Sequence, residues 1–408
     1  MRRVIHLADL HLSRAELQYS LSVLDEALAL AAEHGADLLL CAGDVFDSYP
    51  DAAALAPEVR KRADTLPETC RALAIPGNHE HLERNDADLS ALDLGRIEWL
   101  TAVPFAHRRF KELDLIAIPF RKSYADYVAW EVPSSPLKNM RHGEGSTARI
   151  VMMHGTLAGM WFSGLDENEA ETAAIDQDLF RRFGASYAAL GHIHTPHSDE
   201  FDGCTTCYPG SARVWRRGEL GPRQALLLEF DGGRLQRNIA LTLNSAGRYR
   251  YLELPVGTDP DALAAQLAEG RLPGALGAGA LGAGAVEAGA PGAGTLGAGL
   301  HRTGDDRVPG TADVLELAPT GLVETQAEVA RLVRAIRQGF ESRVRKLLVS
   351  TEGLQTLSGV STLPLARRFL EHWHRRWEQA ASEQQRELLL EARRSALMKI
   401  KQRVEGRA

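Results

Sequence analysis

Short apolar runs recur along the first 230 residues, separated by stretches with a different spacing. Val4-Ile5-His6-Leu7-Ala8 reads as a first buried strand. Leu21, Leu24, Leu28 and Ala31 then repeat at helical spacing over residues 21–32, and Gly35 closes that helix. A second strand covers 37–42, another helical region follows, and Ala72-Leu73-Ala74-Ile75 is a third strand. Further strands are expected at 113–118, 148–153, 187–190 and 226–230. Strands alternating with helical segments predict a layered α/β architecture.

Five of these runs stop at a polar cluster. The endings are Asp9-Leu10-His11, Gly43-Asp44-Val45-Phe46-Asp47, Gly77-Asn78-His79-Glu80, His154-Gly155 and Gly191-His192-Ile193-His194. Open α/β sheets gather ligands beyond the carboxyl ends of their strands, so five such endings are expected on one sheet, around one site. The run at 113–118 carries no such ending, and 226–230 is a closing edge or partner strand.

Beyond residue 245 the pattern changes. A strand at 250–254 and a helix at 259–268, capped by Asp259 ahead of Pro260, lead into Gly-Ala low complexity. That stretch, about 272–310, reads as a disordered insertion; its glycines, Glu287 and Pro291 make it too poor in apolar surface to span a bilayer. A strand at 314–317, a helix at 326–340 and a strand at 344–349 complete a small α/β domain. The tail, 363–404, is helical: Leu365, Phe369, Trp373 and Trp377 form one apolar stripe, and Leu390, Leu397, Ile400 and Val404 a second. The expected domains are 1–245, 246–352 and 360–408.

Composition narrows this only slightly. A chain of 408 residues exceeds one compact core, and a net charge of −7 rules out only a globally basic nucleic-acid binder. Four cysteines do not make a disulfide framework. Cys204-Thr205-Thr206-Cys207 has no second pair at zinc-site spacing and reads as a turn between strands. Asp9 interrupts the first apolar run before a signal peptide could form, so a cytoplasmic location with no membrane association is expected.

Histidines, carboxylates and an asparagine, without cysteine, are donors for a divalent first-row metal. Asp9, His11, Asp44, Asn78, His154, His192 and His194 are too many for one ion, and a carboxylate such as Asp44 can bridge two. His6 is expected in the core or behind the ligands, His107, His142 and His301 on solvent-facing loops, and His197, just past the last ligands, outside the site, with contact to a substrate as the alternative.

The five endings, in order, resemble the motifs of calcineurin-like metallophosphoesterases. Finer features are similar to the SbcD nuclease family: Ile5-His6-Leu7-Ala8-Asp9-Leu10-His11-Leu12, Leu190-Gly191-His192-Ile193-His194-Thr195-Pro196, and Tyr208-Pro209-Gly210-Ser211 followed by Gly218-Glu219. The resemblance implies a layered β-sandwich flanked by helices, with a small α/β cap domain and a C-terminal helical tail. It implies one metal on Asp9, His11, Asp44 and His194 and another on Asp44, Asn78, His154 and His192, with manganese as the metal. His79 becomes the acid at the leaving oxygen, and Asp47 pairs with it and orients it.

The implied function is a two-metal DNA exonuclease and endonuclease, dimeric, working with an SbcC-like coiled-coil ATPase in DNA end processing. Arg121, Lys122, Arg213, Arg216 and Arg217 are the expected phosphate contacts. Phe369, Trp373, Trp377, Leu397 and Ile400 are the expected partner surface, with the two tryptophans packed back on the body as the alternative. A small-molecule phosphodiesterase on the same site is the alternative.

Overall fold

The structure, a computed structural model, describes residues 1–81, 89–122, 124, 147–160, 174–256, 260–272, 311–357, 359–360 and 363–405. Nearly all of the Gly-Ala insertion, and with it Asp259, His142 and His301, lies outside those residues. The chain divides into two compact units, Met1–Arg248 and Tyr249–Ala408.

The first unit is a sandwich of two six-stranded sheets. One sheet holds β1 (Arg2–Leu7), β2 (Leu38–Cys41), β3 (Arg71–Ala74) and β4 (Ile97–Trp99). The other holds β5 (Ala106–Arg109), β6 (Leu113–Ala117), β7 (Ala148–His154), β8 (Tyr187–Gly191), β9 (His197–Phe201) and β10 (Cys204–Tyr208). β11 (Gln224–Asp231) and β12 (Arg234–Thr242) complete the first sheet, in the order β12-β11-β1-β2-β3-β4. The second runs β9-β10-β8-β7-β6-β5. Strands β1 to β4 are mutually parallel, as are β6, β7, β8 and β10.

Period-two alternation sorts even these uniformly apolar strands. Val4, Leu38, Leu40 and Leu73 point between the sheets, where they meet Leu115, Ile150, Met152 and Ala189. Their neighbours Ile5, Leu39, Cys41 and Ala72 point outward, under α1 (Leu17–Glu33) and α2 (Tyr49–Ala63). The outer face of the second sheet is covered in the same way by a short helix, Asp178–Phe183. Both faces of the central strands are therefore dry, which explains why they read as continuous apolar runs, while the edge strands β9 and β12 stay largely exposed. Gly35, at φ 58°, ends α1 as expected.

One expectation needs correction. The five strand endings do not belong to one sheet: those after β1, β2 and β3 are on the first, those of β7 and β8 on the second. The two sheets present their carboxyl ends at the same rim, so the site bridges the sandwich.

In the second unit, β13 (Arg248–Pro255), β14 (Val314–Val323) and β15 (Lys346–Val349) pair in parallel, with β16 (Leu354–Thr356) also parallel to β14. Helices α3 (Pro260–Ala268) and α4 (Gln326–Phe340) bury Leu263, Leu267, Leu332 and Ile336 against Leu315 and Leu317. Thr325 caps α4 by accepting from the Glu328 N–H at 3.2 Å.

α5 (Pro364–Glu378) and α6 (Glu383–Glu405) form a helical hairpin. The residues expected to meet a partner are used inside this unit instead. Trp373 is 8% exposed and Leu397 2% exposed, while Phe369 and Ile400 pack against the same small core. Trp373 donates its indole N–H to the Leu389 carbonyl at 2.5 Å and stacks on Trp377 at 5.1 Å. Arg393 sits over the first ring and Arg386 over the second. Of the four-residue stripe, Trp373 is buried and Phe369 and Trp377 are half-buried within the unit, while Leu365 stays exposed.

Candidate metal centre

The strand ends reach the rim through unusual backbone. Among the described residues, five non-glycine positions have positive φ, and four are Asp9 (54°), His11 (43°), Asp44 (48°) and His192 (98°). Such conformations cost about 1–3 kcal/mol each and persist only where surroundings over-determine them. Here the two turns hold each other: Asp9 N–H donates to the Gly43 carbonyl at 3.1 Å and His11 N–H to the Asp44 carbonyl at 2.9 Å. His192 N–H donates to both oxygens of Asp9, at 3.0 and 3.1 Å, tying the second sheet to the first. Two glycines make the approach possible. A Cβ on Gly43 would collide with the His154 ring, and one on Gly77 with the Asp44 carboxylate.

The side chains converge. His11 Nε2 lies 3.2 Å from His194 Nε2 and 3.9 Å from Asp44 Oδ2. His194 Nε2 is 4.0 Å from Asp9 Oδ1. On the other side of Asp44, His154 Nε2 is 3.3 Å from Asp44 Oδ2 and 2.9 Å from Asn78 Oδ1. His192 Nδ1 is 3.0 Å from that same amide oxygen. Asp44 thus stands between two donor sets. Asp9, His11 and His194 cluster within metal-binding distance, as do Asp9, Asp44 and His154, and His11, Asp44 and His79.

The chemistry of the donors fits cations. His154 Nδ1 faces the Ala42 carbonyl at 2.8 Å, so its proton belongs there and Nε2 presents a lone pair to acceptor oxygens only. Lone pairs facing lone pairs need a positive charge between them. Without metal, protons fill the gap. Burial works against it, but the Asp44 charge and hydrogen bond push the His154 imidazole up to about 9. Burial likewise opposes ionisation of Asp44, yet the His154 charge and hydrogen bond prevail and hold its carboxyl well below the usual range. Asp9 is pushed up to about 6, chiefly by burial. Burial, then the His154 charge, takes His192 down to about 3.

His79 borders the cluster. Its N–H donates to Asp44 Oδ1 at 2.9 Å, and its Nδ1 meets the Asp47 carbonyl at 2.8 Å, leaving Nε2 as the outward nitrogen. The expected pairing of His79 with the Asp47 carboxylate is absent. The main-chain oxygen takes that contact, while the carboxylate accepts from Trp215 Nε1 at 2.6 Å and lies 3.7 Å from His11 Nδ1.

Trp215 is a residue the sequence reading missed. Its ring stacks on His11 with centroids 4.3 Å apart and planes 8° apart, and stands edge-on to His79 and His194. Glu219 was quoted only as part of a motif; its carboxylate accepts from His194 Nδ1 and from the Trp215 N–H. Burial opposes its charge, but the His194 hydrogen bond and charge lower it. Glu80 is buried and accepts from Phe46 N–H at 2.8 Å and Gly77 N–H at 2.9 Å, bracing two of the turns. Glu80 ends the Gly77-Asn78-His79-Glu80 stretch and Glu219 follows Gly218, and membership of those motifs is the sequence signal they offer.

Other expectations divide. Arg213 is 2% exposed, with its Nη1 on Glu16 at 3.1 Å and Ser20 at 3.3 Å, so it braces the core and faces no phosphate. Arg121 and Arg216 are half-buried, and Lys122 and Arg217 exposed. His6 is a core residue bonded to the Tyr187 hydroxyl at 2.9 Å, its ring pushed down to about 3 by burial. His107 is in β5, not a loop, with Nε2 3.6 Å from buried Asp114. His197 opens β9. Cys204 and Cys207 lie within β10, not in a turn, and point to opposite faces of the sheet, one into each core.

Residues 2–196 match the model of the calcineurin-like phosphoesterase family. The DNA double-strand break repair protein Mre11 of Methanopyrus kandleri is 26% identical over 256 residues, 57% of this chain and 55% of that protein. The Mre11 protein of Archaeoglobus fulgidus is 26% identical over 222 residues, 50% of this chain and 49% of that protein. The chain thus spans about half the length of these relatives. A solved structure from Thermus thermophilus aligns over 59% of this chain and 99% of its own, with 14% identity and a TM-score of 0.35. No helix among the described residues is long and apolar enough to cross a membrane.

Proposed function

We propose that this chain, in which residues 2–196 are a calcineurin-like phosphoesterase domain, is a metal-dependent phosphodiesterase whose substrate is the DNA backbone and whose role is the processing of DNA ends. The observation that carries this is the paired donor set: two groups of N and O ligands sharing Asp44, with His79 beside them. DNA as the substrate draws support from the two relatives, both named for double-strand break repair.

Asp9, His11, Asp44 and His194 hold one divalent ion, and Asp44, Asn78, His154 and His192 the other, with manganese the metal of choice. Divalent ions held there would supply positive charge to a phosphate group and lower the pKa of a water. His79 offers Nε2 to the leaving oxygen, since Nδ1 is committed to the Asp47 carbonyl. Glu219 holds the His194 ring through Nδ1 and keeps its Nε2 turned inward. Of the five cations expected to meet phosphate, Lys122 and Arg217 are exposed, and we assign them contacts that are blind to sequence.

We further read the protein as a cytoplasmic homodimer that works with an SbcC-like ATPase docked on the α5–α6 hairpin. Since the tryptophan stripe is internal, the apolar positions left for a partner are Leu365 (62% exposed), Leu388 (61%) and Val404 (49%). Deleting the chain after Leu363 is expected to abolish co-purification with that ATPase; retained co-purification would refute the docking.

The test of the enzyme is Mn²⁺-dependent degradation of linear duplex DNA by the native chain, Asp44→Ala and His79→Ala. Cleavage by the native chain that both variants lose is the expected result. Intact DNA alongside hydrolysis of bis(p-nitrophenyl) phosphate would mean a small-molecule enzyme on the same site.

A further inference from the structure

We propose that Trp215 is a positioning residue for His79, acting through Asp47, an assignment that rests on the phosphodiesterase reading above. Three contacts make the chain of influence. The indole Nε1–H donates to Asp47 Oδ1 at 2.6 Å. The carbonyl of that same Asp47 receives the His79 Nδ1 proton at 2.8 Å. The Trp215 main-chain N–H is itself pinned by Glu219 Oε2 at 2.7 Å. The turn carrying Asp47 is therefore anchored by a group on the opposite side of the site, and that turn selects which ring nitrogen of His79 carries the proton.

Packing supports positioning over the other role open to an aromatic residue near a phosphate site, a platform for a base. His11 stacks on the indole at 4.3 Å with planes 8° apart, and the Arg216 guanidinium carbon lies 4.6 Å from the same centroid. No face is left for a nucleobase. The His79 ring meets the indole edge-on at 5.0 Å and 86°, so its rotation about χ2 is limited from that side as well. A general acid displaced by about 1 Å forfeits much of its contribution.

Trp215→Phe keeps the stacked ring and removes the donor. It is expected to lower kcat on DNA by about 10-fold to 100-fold, the usual scale for losing an orienting partner, with KM little changed. The loss is expected to be much smaller on bis(p-nitrophenyl) phosphate, whose leaving group needs little protonation. In His79→Ala, adding Trp215→Phe is expected to cost nothing further. Long-range ¹H–¹⁵N spectra of the metal-free protein give a readout independent of turnover: His79 protonated on Nδ1 in the native chain, and a tautomer mixture in Trp215→Phe. Asp47→Ala, which removes the acceptor and leaves the indole intact, is expected to match Trp215→Phe in both. An additive loss in the double variant, or an unchanged tautomer with unchanged kcat, overturns the assignment. If His79→Ala itself retains full activity on DNA, it is the role of His79 that falls.

Discussion

The rim of the sandwich and the terminal hairpin handle polarity in opposite ways. At the rim, Asp9, His11, Asp44 and His154 are buried with lone pairs directed at one another, on a backbone that bends into positive φ at three of the four. In the hairpin, Leu397 is buried in a small apolar core, and buried Trp373 stacks on Trp377 under the Arg393 guanidinium while the one polar atom of its indole finds a carbonyl. The buried face of the hairpin is satisfied within its own unit. The rim is held in place by its surroundings and waits for charge from outside, which is how a preorganised metal centre differs from a core.

The contrast makes its largest demand on the hairpin. Trp373→Ala removes a ring that carries its share of the packing, and should destabilise the second unit by about 3–5 kcal/mol. Hydrolysis of a small phosphodiester should persist, because every proposed ligand lies in the first unit. Urea unfolding followed by hydrogen exchange over 364–405, alongside a phosphodiesterase assay, checks both halves. Loss of small-substrate turnover would show that the two regions are not independent.

The rim makes a demand of the other sign. Binding to the folded state alone adds about 2.7 kcal/mol at a metal concentration near 100 times Kd. Saturating Mn²⁺ should therefore slow amide exchange around Asp9, Asp44, Asn78, His154 and His192, and leave 364–405 unchanged. Uniform protection of both regions, or of neither, would break the comparison.

What could be read in advance follows the same division. The clustered residues were legible because ending apolar strands in Asp, Asn and His has no structural motive, so each departure from the apolar pattern was informative. The alternation that sends Leu38 and Leu40 to one layer and Leu39 and Cys41 to another was not visible in an unbroken apolar run, which is why the two sheets were taken as one. Trp215 and Glu219 were passed over because they stand on a loop with no period, and their meaning lies in what they touch. Arg213 was misread for the related reason that sequence gives a cation's charge but not its surroundings, here Glu16 and Ser20. The hairpin's stripe was seen, but an amphipathic period states only that a face is covered, not by what.

A smaller effect separates the rim from an ordinary core through pH. Burial raises Asp9 from its ordinary 3.8 to about 6, so the metal-free native state holds this proton more tightly than the unfolded chain does. By linkage, the Asp9 contribution to metal-free stability falls as pH rises through that window and stays low above it. Asp9→Asn keeps an acceptor for the His192 N–H and removes the charge. With chelator present, its stability should therefore decline less between about pH 4 and 6 than that of the native chain. Urea midpoints across that range decide it, and parallel pH profiles would refute the raised pKa of this carboxylate.

The smallest effect concerns the cations around the rim, and it turns on the difference between Lys122 or Arg217 and Arg213. An exposed cation that meets a phosphate releases about one counterion, so its removal lowers the slope of log K against log[salt] by about 0.9 for duplex DNA and weakens all sequences alike. Lys122→Ala and Arg217→Ala should each show that signature, read from DNA-binding isotherms in Ca²⁺ at several salt concentrations. Arg213→Ala should leave the slope alone and instead lower the urea midpoint, because its guanidinium is held by Glu16 and Ser20 beneath the surface. If Arg213→Ala changes the salt slope while Lys122→Ala and Arg217→Ala do not, DNA follows a path across this face other than the one the exposed side chains mark out.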